Sequence, residues 1–334
     1  MILLFTKAAT PLFVLVFGMT MAFVHYNRVF TPEGFAVVKR RMWRRALLAF
    51  LSFEFLVIVV ESADNAPVSA IVERMLYLRP GNWIEVLNFY IVVLLLGPWL
   101  LRWWRKASMG VRIVIPPLLF GLGALLALVP VPPYLFVLKN TVTAYPPSNA
   151  DIPLDSFPLL QLSSFFLVGL SLGEYLFQQQ QSTQWKRVFL VIGVFILAGL
   201  LTSYIVSGDT MQAYLRNIAR DRYRFPPRIP YVLFGLSSAL GAALLCLWLV
   251  QIRNPKTFLV RIVELLGRHS LLTFNLQYVL LFTVYGLILD LMHQQSLYAS
   301  ILNTCAIIGV CVGVMWMWER RRPMQGSSAP GIIP

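Results

Sequence analysis

Long apolar runs separated by short polar segments dominate this sequence from its first residues to residue 317. The runs are about 17 to 25 residues long, which an α-helix needs to cross a hydrocarbon core. The predicted spans are residues 4–24, 46–62, 86–101, 113–130, 161–178, 188–206, 230–251, 271–290 and 298–317. Separated runs of this length cannot form a barrel of roughly ten-residue alternating strands. The predicted fold class is therefore all-α, a polytopic membrane bundle of about nine helices.

Composition supports a bilayer as the solvent. The chain has 334 residues, of which 58% are hydrophobic and only 13% charged, far from the balance of a soluble domain. No polar block is long enough to bury a core of its own, so residues 1–318 are predicted to form one membrane domain. Residues 319–334, rich in Gly, Ser and Pro after Arg322, are predicted to be a disordered cytoplasmic tail.

The net charge of +14 comes from Lys and Arg residues that lie mostly between the predicted spans. Of the 28 Lys and Arg residues, 19 lie in alternate segments between the spans, and positive charge marks the cytoplasmic side. These segments are residues 25–45, 102–112, 179–187, 252–269 and 318–334. We expect a multi-pass protein of the cytoplasmic (inner) membrane, with its N-terminus outside and its C-terminus inside. This distribution favours membrane lipids over nucleic acid as the partner, and it leaves the oligomeric state open.

The predicted external segment 207–229 departs from this charge rule. It carries five arginines and two aspartates beside the membrane: Arg216, Arg220, Arg222, Arg224, Arg228, Asp209 and Asp221. Arginine forks bind carboxylate or phosphate through two parallel hydrogen bonds, which suits an anionic substrate, a lipid headgroup or a phosphorylated carrier. Alternatively, Asp209 and Asp221 pair with some of these arginines and the others reach the headgroups.

Two aspartates among prolines are candidates for chemistry in another external loop. Asp151 and Asp155 could orient a base or bind a sugar hydroxyl, although loop solvation also explains them. On the cytoplasmic side, the cluster KRRMWRR covers residues 39–45. Arg41 and Arg44 are three residues apart, would share one helical face, and could bind the phosphates of a nucleotide-like donor. A cluster that only sets topology would have the same sequence.

Acidic groups in or near the spans are costly in hydrocarbon unless they are paired or hydrated. Glu174 and Asp290 lie near span ends and could reach the interface, whereas Glu54 lies deeper and should face the bundle interior. The three histidines, His25, His269 and His293, show no metal-ligand spacing. Cysteines 246, 305 and 311 fall inside predicted spans, so neither a disulfide framework nor a metal site is expected. No nucleophile elbow, P-loop or dinucleotide motif occurs.

Four stretches of the sequence form an ordered series of motifs along the chain. LGRHSLLTFNLQY, at 266–278, is similar to a signature of Gly, basic, any residue, Ser-Leu, two residues, an aromatic, two residues and His. The other stretches are PLFVLVFGMTMAF with the following KRRMWRR, FPLLQLSSFFLVGLSLG at 157–173, and RFPPRIPYVLF at 224–234. In this order the four stretches resemble the transmembrane acyltransferases. The resemblance is closest to the glucan-modifying branch of acyltransferase type 3 and to the heparan-α-glucosaminide N-acetyltransferase group.

This resemblance implies an O- or N-acyltransferase that uses a cytoplasmic acyl donor such as acyl-coenzyme A, without a metal, and an extracytoplasmic glycan acceptor. Arg41 and Arg44 match the basic donor-side pair of the family. Gln277 stands where the family has His, so it keeps hydrogen bonding but not proton transfer. The family opens with a helix that bears Arg-Asp and a histidine, and this sequence opens after it. We therefore expect either a start upstream of Met1 or a shortened paralogue.

The leading hypothesis is transfer of an acetyl or succinyl group to an envelope glycan. The candidate catalytic residues on the outer side are His293, Asp151 and Asp155, because a general base must come within hydrogen-bond reach of the acceptor. The candidate acceptor-binding residues are Arg222, Arg224, Arg228 and Gln277. The alternative is a non-catalytic transporter or flippase-like component that handles an anionic or lipid-linked glycan. A third possibility is a scaffold subunit of an envelope complex.

Overall fold

The computed structural model describes residues 9–78, 86–132, 135–143, 158–179, 185–220, 228–249, 258–288 and 297–321. These residues form helices, and no strand occurs among them. The helices are α1 (Ala9–His25), α2 (Pro32–Ala63), α3 (Val68–Met75), α4 (Val86–Lys106), α5 (Met109–Leu128), α6 (Phe136–Thr143), α7 (Leu159–Gln179), α8 (Trp185–Ser207), α9 (Met211–Ala219), α10 (Ile229–Trp248), α11 (Phe258–Arg268), α12 (Ser270–Val279) and α13 (Leu297–Arg321). Helix α12 continues as a π-helix over Leu280–Ile288.

Seven of these helices are long and apolar enough to cross a bilayer, counted over the described residues. They are α2, α4, α5, α7, α8, α10 and α13. Two shorter apolar helices, Ala9–His25 and Ser270–Val284, lie at the positions of the first and eighth predicted spans. The prediction of an all-helical, multi-pass membrane protein is thus confirmed.

The chain divides into two compact units. The first comprises Met1–Phe53 and Glu73–Arg253, and the second comprises Glu54–Val72 and Asn254–Pro334. Helix α13, in the second unit, runs to Arg321 and so includes the first three residues of the predicted tail. The rest of that tail lies outside the described residues.

Helices α1 and α7 cross with their backbones close together in the first unit. A Cβ atom added at Gly169 would lie 2.2 Å from the carbonyl oxygen of Leu15, and one added at Gly18 would lie 2.3 Å from that of Phe166. Gly173 makes a third backbone approach of this kind. Small residues allow helix backbones to approach closely in membranes, where packing rather than a hydrophobic driving force holds helices together. The two helices therefore meet through backbone atoms.

Local sequence signals mark several helix starts. The side chain of Ser108 accepts a hydrogen bond from the Val111 amide at the start of α5, and the side chain of Thr210 does the same for the Ala213 amide at the start of α9. Both residues satisfy an amide that has no partner within the helix. Pro230 occupies the first turn of α10, where its missing N–H costs nothing.

Helix α2 is longer than a bilayer requires. Its 32 residues span about 48 Å at 1.5 Å per residue, against a hydrocarbon core of roughly 30 Å. The basic cluster 39–45 lies in its first half, and the apolar run 46–62 follows without a break in the helix. No proline or glycine interrupts residues 35–63, so the chain continues as one helix from the polar cluster into the apolar run.

Candidate functional site

Polar side chains from three helices and one turn meet at one end of the first unit. They are Tyr26, Arg105, Arg112, Glu174 and Gln178, which we call the polar end. Tyr26 follows α1, Arg105 belongs to the last turn of α4, and Arg112 lies in the first turn of α5. Glu174 and Gln178 are one turn apart near the end of α7. The polar end thus joins the ends of segments that the sequence predicts to lie on the same side of the membrane.

Glu174 is the acceptor at the centre of the polar end. Arg112 forms a two-pronged ion pair with it, with Nη1 2.9 Å from Oε2 and Nη2 3.3 Å from Oε1. The Tyr26 hydroxyl donates to Oε1 at 3.1 Å and accepts from the Gln178 amide at 2.9 Å. Only 17% of the Arg112 side chain and 10% of the Glu174 side chain are exposed. The Glu174 charge near the span end is therefore paired within the protein.

Arg105 fixes the turn that joins α1 to α2. Its guanidinium carbon lies 3.9 Å from the ring centroids of both Tyr26 and Phe30. Its Nη1 donates to the Tyr26 carbonyl at 2.6 Å, and its own carbonyl accepts from Arg112 at 2.9 Å. A guanidinium between two aromatic faces combines cation–π attraction with stacking. The turn is thus held against the end of α4.

The cavity beside the polar end is small, with room for about one water molecule. It is lined by Ala22, Tyr26, Val29, Leu101, Trp104, Arg105, Leu170 and Glu174. The Trp104 indole donates to the Ser171 hydroxyl at 3.2 Å and occupies one wall. A substrate the size of a coenzyme or a sugar does not fit in it, so the polar end holds the helix ends together and ligand recognition requires a different surface.

The arginines whose charges act on His25, the residue before Tyr26, are a candidate for such a surface. His25 is only 8% exposed, and its Nδ1 atom is buried without a hydrogen-bond partner. The charges of Arg45, Arg28 and Arg41 act on its imidazole. All three arginines are exposed, and none pairs with a carboxylate in the described part of the chain. We call Arg28, Arg41 and Arg45 the arginine face.

The two predicted donor-side residues are placed differently. Arg41 and Arg44 are both exposed on α2, but Arg41 belongs to the arginine face and Arg44 is not among the charges that act on His25. A spacing of three residues separates them by about 60° around a helix, and Arg45 lies one turn after Arg41. Sequence reasoning missed His25, Arg28 and Arg45. The spacing of four between Arg41 and Arg45 was the available signal.

Most of the predicted outer-side residues lie outside the described ranges. These are the candidate catalytic residues His293, Asp151 and Asp155, the acceptor candidates Arg222 and Arg224, and Asp290. Arg228 is described as the exposed residue before α10, and its side chain makes no capping hydrogen bond. Gln277 is exposed on α12 in the second unit.

A buried hydrogen-bond network holds α9 on the helices that flank it. The Ser203 hydroxyl donates to the Pro230 carbonyl at 2.6 Å, and it lies 2.7 Å from the Tyr214 hydroxyl, which must then donate to it. Burial raises the pKa of Tyr214, and the hydrogen bond with Ser203 opposes that rise. Asp209 accepts from the Asn217 amide at 2.8 Å, so its contacts include a neutral partner and not only the arginines that the sequence suggested.

The second unit contains a histidine, an arginine and a carboxylate in one cluster. His269 Nε2 lies 3.4 Å and Arg268 Nη1 lies 3.3 Å from Oε1 of Glu319.

Glu54, the deepest acidic residue in the predicted spans, has both carboxyl oxygens buried without a hydrogen-bond partner. Among the described residues no group of three or more His, Cys, Asp or Glu side chains could hold a metal ion.

Comparisons with known proteins add no relative. No family model matches this chain, and neither a curated protein nor a solved structure does so.

Proposed function

We propose that this chain is a membrane acyltransferase that moves an acyl group, acetyl or succinyl, from a cytoplasmic donor to an extracytoplasmic glycan. The observation that supports it best is the arginine face. Its three arginines are exposed, their charges act on the buried His25, and none has a carboxylate partner among the described residues. Such an arrangement suits a ligand that brings several negative charges. The ordered resemblance of four sequence stretches to the transmembrane acyltransferases points to the same function.

The donor in this proposal is acyl-coenzyme A, whose phosphate groups are anionic and multiply charged. Guanidinium groups bind phosphate through paired, charge-assisted hydrogen bonds, which are roughly twice as strong as neutral ones. Arg28, Arg41 and Arg45 would contact the phosphates. Arg44 would act from the neighbouring side of α2.

The sidedness of the proposal rests on the positive-inside rule. The segments with most of the Lys and Arg residues, including 25–45 and 102–112, would lie in the cytoplasm. Contacts at the polar end join these two segments with the end of α7, as an alternating arrangement of spans requires. We therefore propose the cytoplasmic membrane as the location, about nine spans, an outer N-terminus and an inner C-terminus.

The chemical step needs no metal or redox partner. An acceptor hydroxyl oxygen, or an amine nitrogen, attacks the thioester carbonyl, the new C–O or C–N bond forms and the C–S bond breaks. The acceptor proton passes to a general base and then to the departing coenzyme A thiolate. Asp151, Asp155 or His293 would be that base on the outer side. Arg222, Arg224 and Arg228 would bind an anionic acceptor, and Gln277 would donate or accept a hydrogen bond.

A second function is favoured by a different observation. Arg216 on α9, Arg220 directly after it and Arg228 before α10 are exposed near the predicted outer side. These residues fit a transporter or flippase-like component that handles an anionic or lipid-linked glycan. That function has no need of the arginine face.

The test uses the full chain in proteoliposomes with envelope glycan and radiolabelled acetyl- or succinyl-coenzyme A. Label in the glycan supports the enzyme, and no label with either donor overturns it. The variant R41Q/R45Q should lose donor binding and transfer. The matched control is R40Q, which removes an exposed charge from the same helix but lies outside the arginine face.

Movement of a labelled glycan across the same vesicles separates the two functions. Under the acyltransferase proposal, R41Q/R45Q abolishes transfer of the label from donor to glycan. Under the transporter alternative, the same variant moves glycan at the wild-type rate and no acyl group is transferred at all.

A further inference from the structure

Two exposed tryptophans stand side by side on neighbouring spans. Trp43 of α2 is 43% exposed and Trp99 of α4 is 46% exposed, and their ring centroids are 5.9 Å apart. The Trp43 indole N–H donates to the Leu95 carbonyl at 3.2 Å, which fixes its ring against α4. Both helices are long and apolar enough to cross a membrane, where their outward faces would contact lipid. The tryptophans therefore present a fixed aromatic surface to the bilayer.

Lys39 lies over this aromatic surface. Its ammonium nitrogen is 4.4 Å from the Trp43 ring centroid and 5.2 Å from that of Trp99. The two rings attract the charge, but they do not use up its hydrogen-bond donors. No carboxylate within the described residues pairs with Lys39. The ammonium group is thus held in place and still able to donate to an anion.

A second cation and a third aromatic ring extend this surface. Phe35 lies one helical turn before Lys39, and its ring centroid is 6.2 Å from that of Trp99. The guanidinium carbon of Arg102 lies 5.2 Å from the Phe35 ring centroid. Spacings of four on α2 and three on α4 bring these residues into one stripe. We call Phe35, Lys39, Trp43, Trp99 and Arg102 the cation–aromatic belt.

The belt lies where the sequence of α2 changes from basic to apolar. The basic cluster 39–45 ends and the apolar run 46–62 begins within one turn of Trp43. Tryptophan rings concentrate at the level of lipid headgroups, with the hydrocarbon on one side and water on the other. The belt therefore stands at headgroup level, on the lateral surface of the bundle, where lipid molecules are its neighbours.

We propose that the cation–aromatic belt binds the headgroup of an anionic phospholipid. The phosphate would accept hydrogen bonds from Lys39 and Arg102, and the exposed tryptophans would pack on the glycerol and upper acyl chains. An anionic lipid is preferred because the positively charged ammonium group of a zwitterionic headgroup would be repelled by two fixed cations. The belt uses neither Arg41 nor Arg45, so the proposal stands whether or not the chain is an acyltransferase.

The test is lipid retention by the full chain, measured by native mass spectrometry in detergent. Palmitoyl-oleoyl phosphatidylglycerol and palmitoyl-oleoyl phosphatidylcholine are added at equal concentrations. The wild type should retain phosphatidylglycerol several-fold more. K39Q should lower phosphatidylglycerol retention about fivefold, K39R should keep most of it, and W43L/W99L should lower it with all charges present.

The matched control is R261Q, which removes an exposed positive charge from α11, a helix that carries no belt residue. It should retain phosphatidylglycerol like the wild type. Unchanged elution volume and unfolding midpoint show that each variant is folded. Equal retention of both lipids by the wild type would overturn the proposal. Equal losses in K39Q and R261Q would also overturn it. Full retention in K39Q would overturn it as well and would fit a belt that serves an acidic protein segment instead.

Discussion

Arg112 and Glu174, 62 residues apart in the sequence, form the two-pronged ion pair that ties the start of α5 to the end of α7. Both side chains are mostly shielded from water, so the loss of one partner leaves the other charge poorly solvated. Removal of one partner from a buried pair is strongly destabilising, whereas an exposed pair contributes little. The pair thus makes the arrangement of helix ends at the polar end sensitive to single substitutions.

We predict that E174Q lowers the free energy of unfolding by about 2 to 3 kcal/mol, somewhat below the range for fully buried pairs. Glutamine still accepts from Tyr26 but leaves the Arg112 charge without a counterion. Unfolding in mixed detergent micelles, followed by circular dichroism, measures this loss. The control is E264Q, because Glu264 is exposed on α11, and it should change stability by less than about 0.5 kcal/mol. Equal stability of both variants would contradict the prediction.

The close crossing of α1 and α7 predicts a sharp effect of one methyl group. In G169A the new Cβ atom would meet a backbone carbonyl at 2.2 Å, and neither helix can yield by a side-chain rotation. We expect a loss of at least about 2 kcal/mol. The matched control is G193A in α8, where nothing lies within 4 Å of the new atom. It should be neutral or slightly stabilising because alanine favours helix. The unfolding midpoints of G169A and G193A, each compared with that of the wild type, measure the two effects.

The charge of Arg45, unlike that of Arg44, acts on His25, so the arginine face differs from the Arg41 and Arg44 pair that the sequence predicts. If acyl-coenzyme A binds at the arginine face, R41Q and R45Q should each weaken its binding about tenfold, since a hydrogen bond to a charged group contributes roughly 1.5 kcal/mol or more. R44Q should weaken it less than about twofold. Equilibrium dialysis with labelled coenzyme A measures all three. A larger effect of R44Q than of R45Q would favour the Arg41 and Arg44 pair.

The raised pKa of Tyr214 predicts that the free energy of unfolding changes with pH in the alkaline range. Burial raises the pKa of its phenol above the ordinary value of about 10, against the smaller effect of Ser203. The folded chain then keeps the proton more tightly than the unfolded chain. This stabilisation is complete below pH 10 and is lost as the pH rises toward the pKa of the folded state.

The measurement for Tyr214 compares wild type with Y214F from pH 8 to pH 11. Below pH 10 the wild type should be more stable by about 1 kcal/mol, because the phenylalanine leaves Ser203 without its donor. The difference should shrink above pH 10. A constant difference across the whole range would show that the hydroxyl does not titrate in the unfolding reaction.

The spans could be predicted because bilayer thickness fixes the length of an apolar run, and the described helices coincide with the predicted positions. The start of α2 at Pro32 was less evident from hydropathy, since its first turns are polar. The sequence shows that arginines cluster in the first half of α2, but it does not show which of them belong to the arginine face. The charges of Arg41 and Arg45 both act on His25, which belongs to another helix, so the sequence of α2 alone could not group these two arginines.

The partners of the acidic residues could not be predicted at all. Glu174 could have reached the interface alone, and only the packing of α5 against α7 brings Arg112 to it. Asp209 lies among arginines in the sequence, yet the fold of α9 brings Asn217 to it. Such pairs depend on which helices are neighbours, and periodicity within one segment carries no information about that.

The glycine crossing of α1 and α7 also bears on motion. Side chains that pack against each other can change rotamer and let two helices slide, but backbone atoms in contact offer no such freedom. Any rearrangement that accompanies ligand binding must move these two helices together as one rigid piece. The separation between Tyr26 and Glu174 should then stay constant while the surrounding helices shift, which makes this pair a suitable internal reference for distance measurements in the membrane.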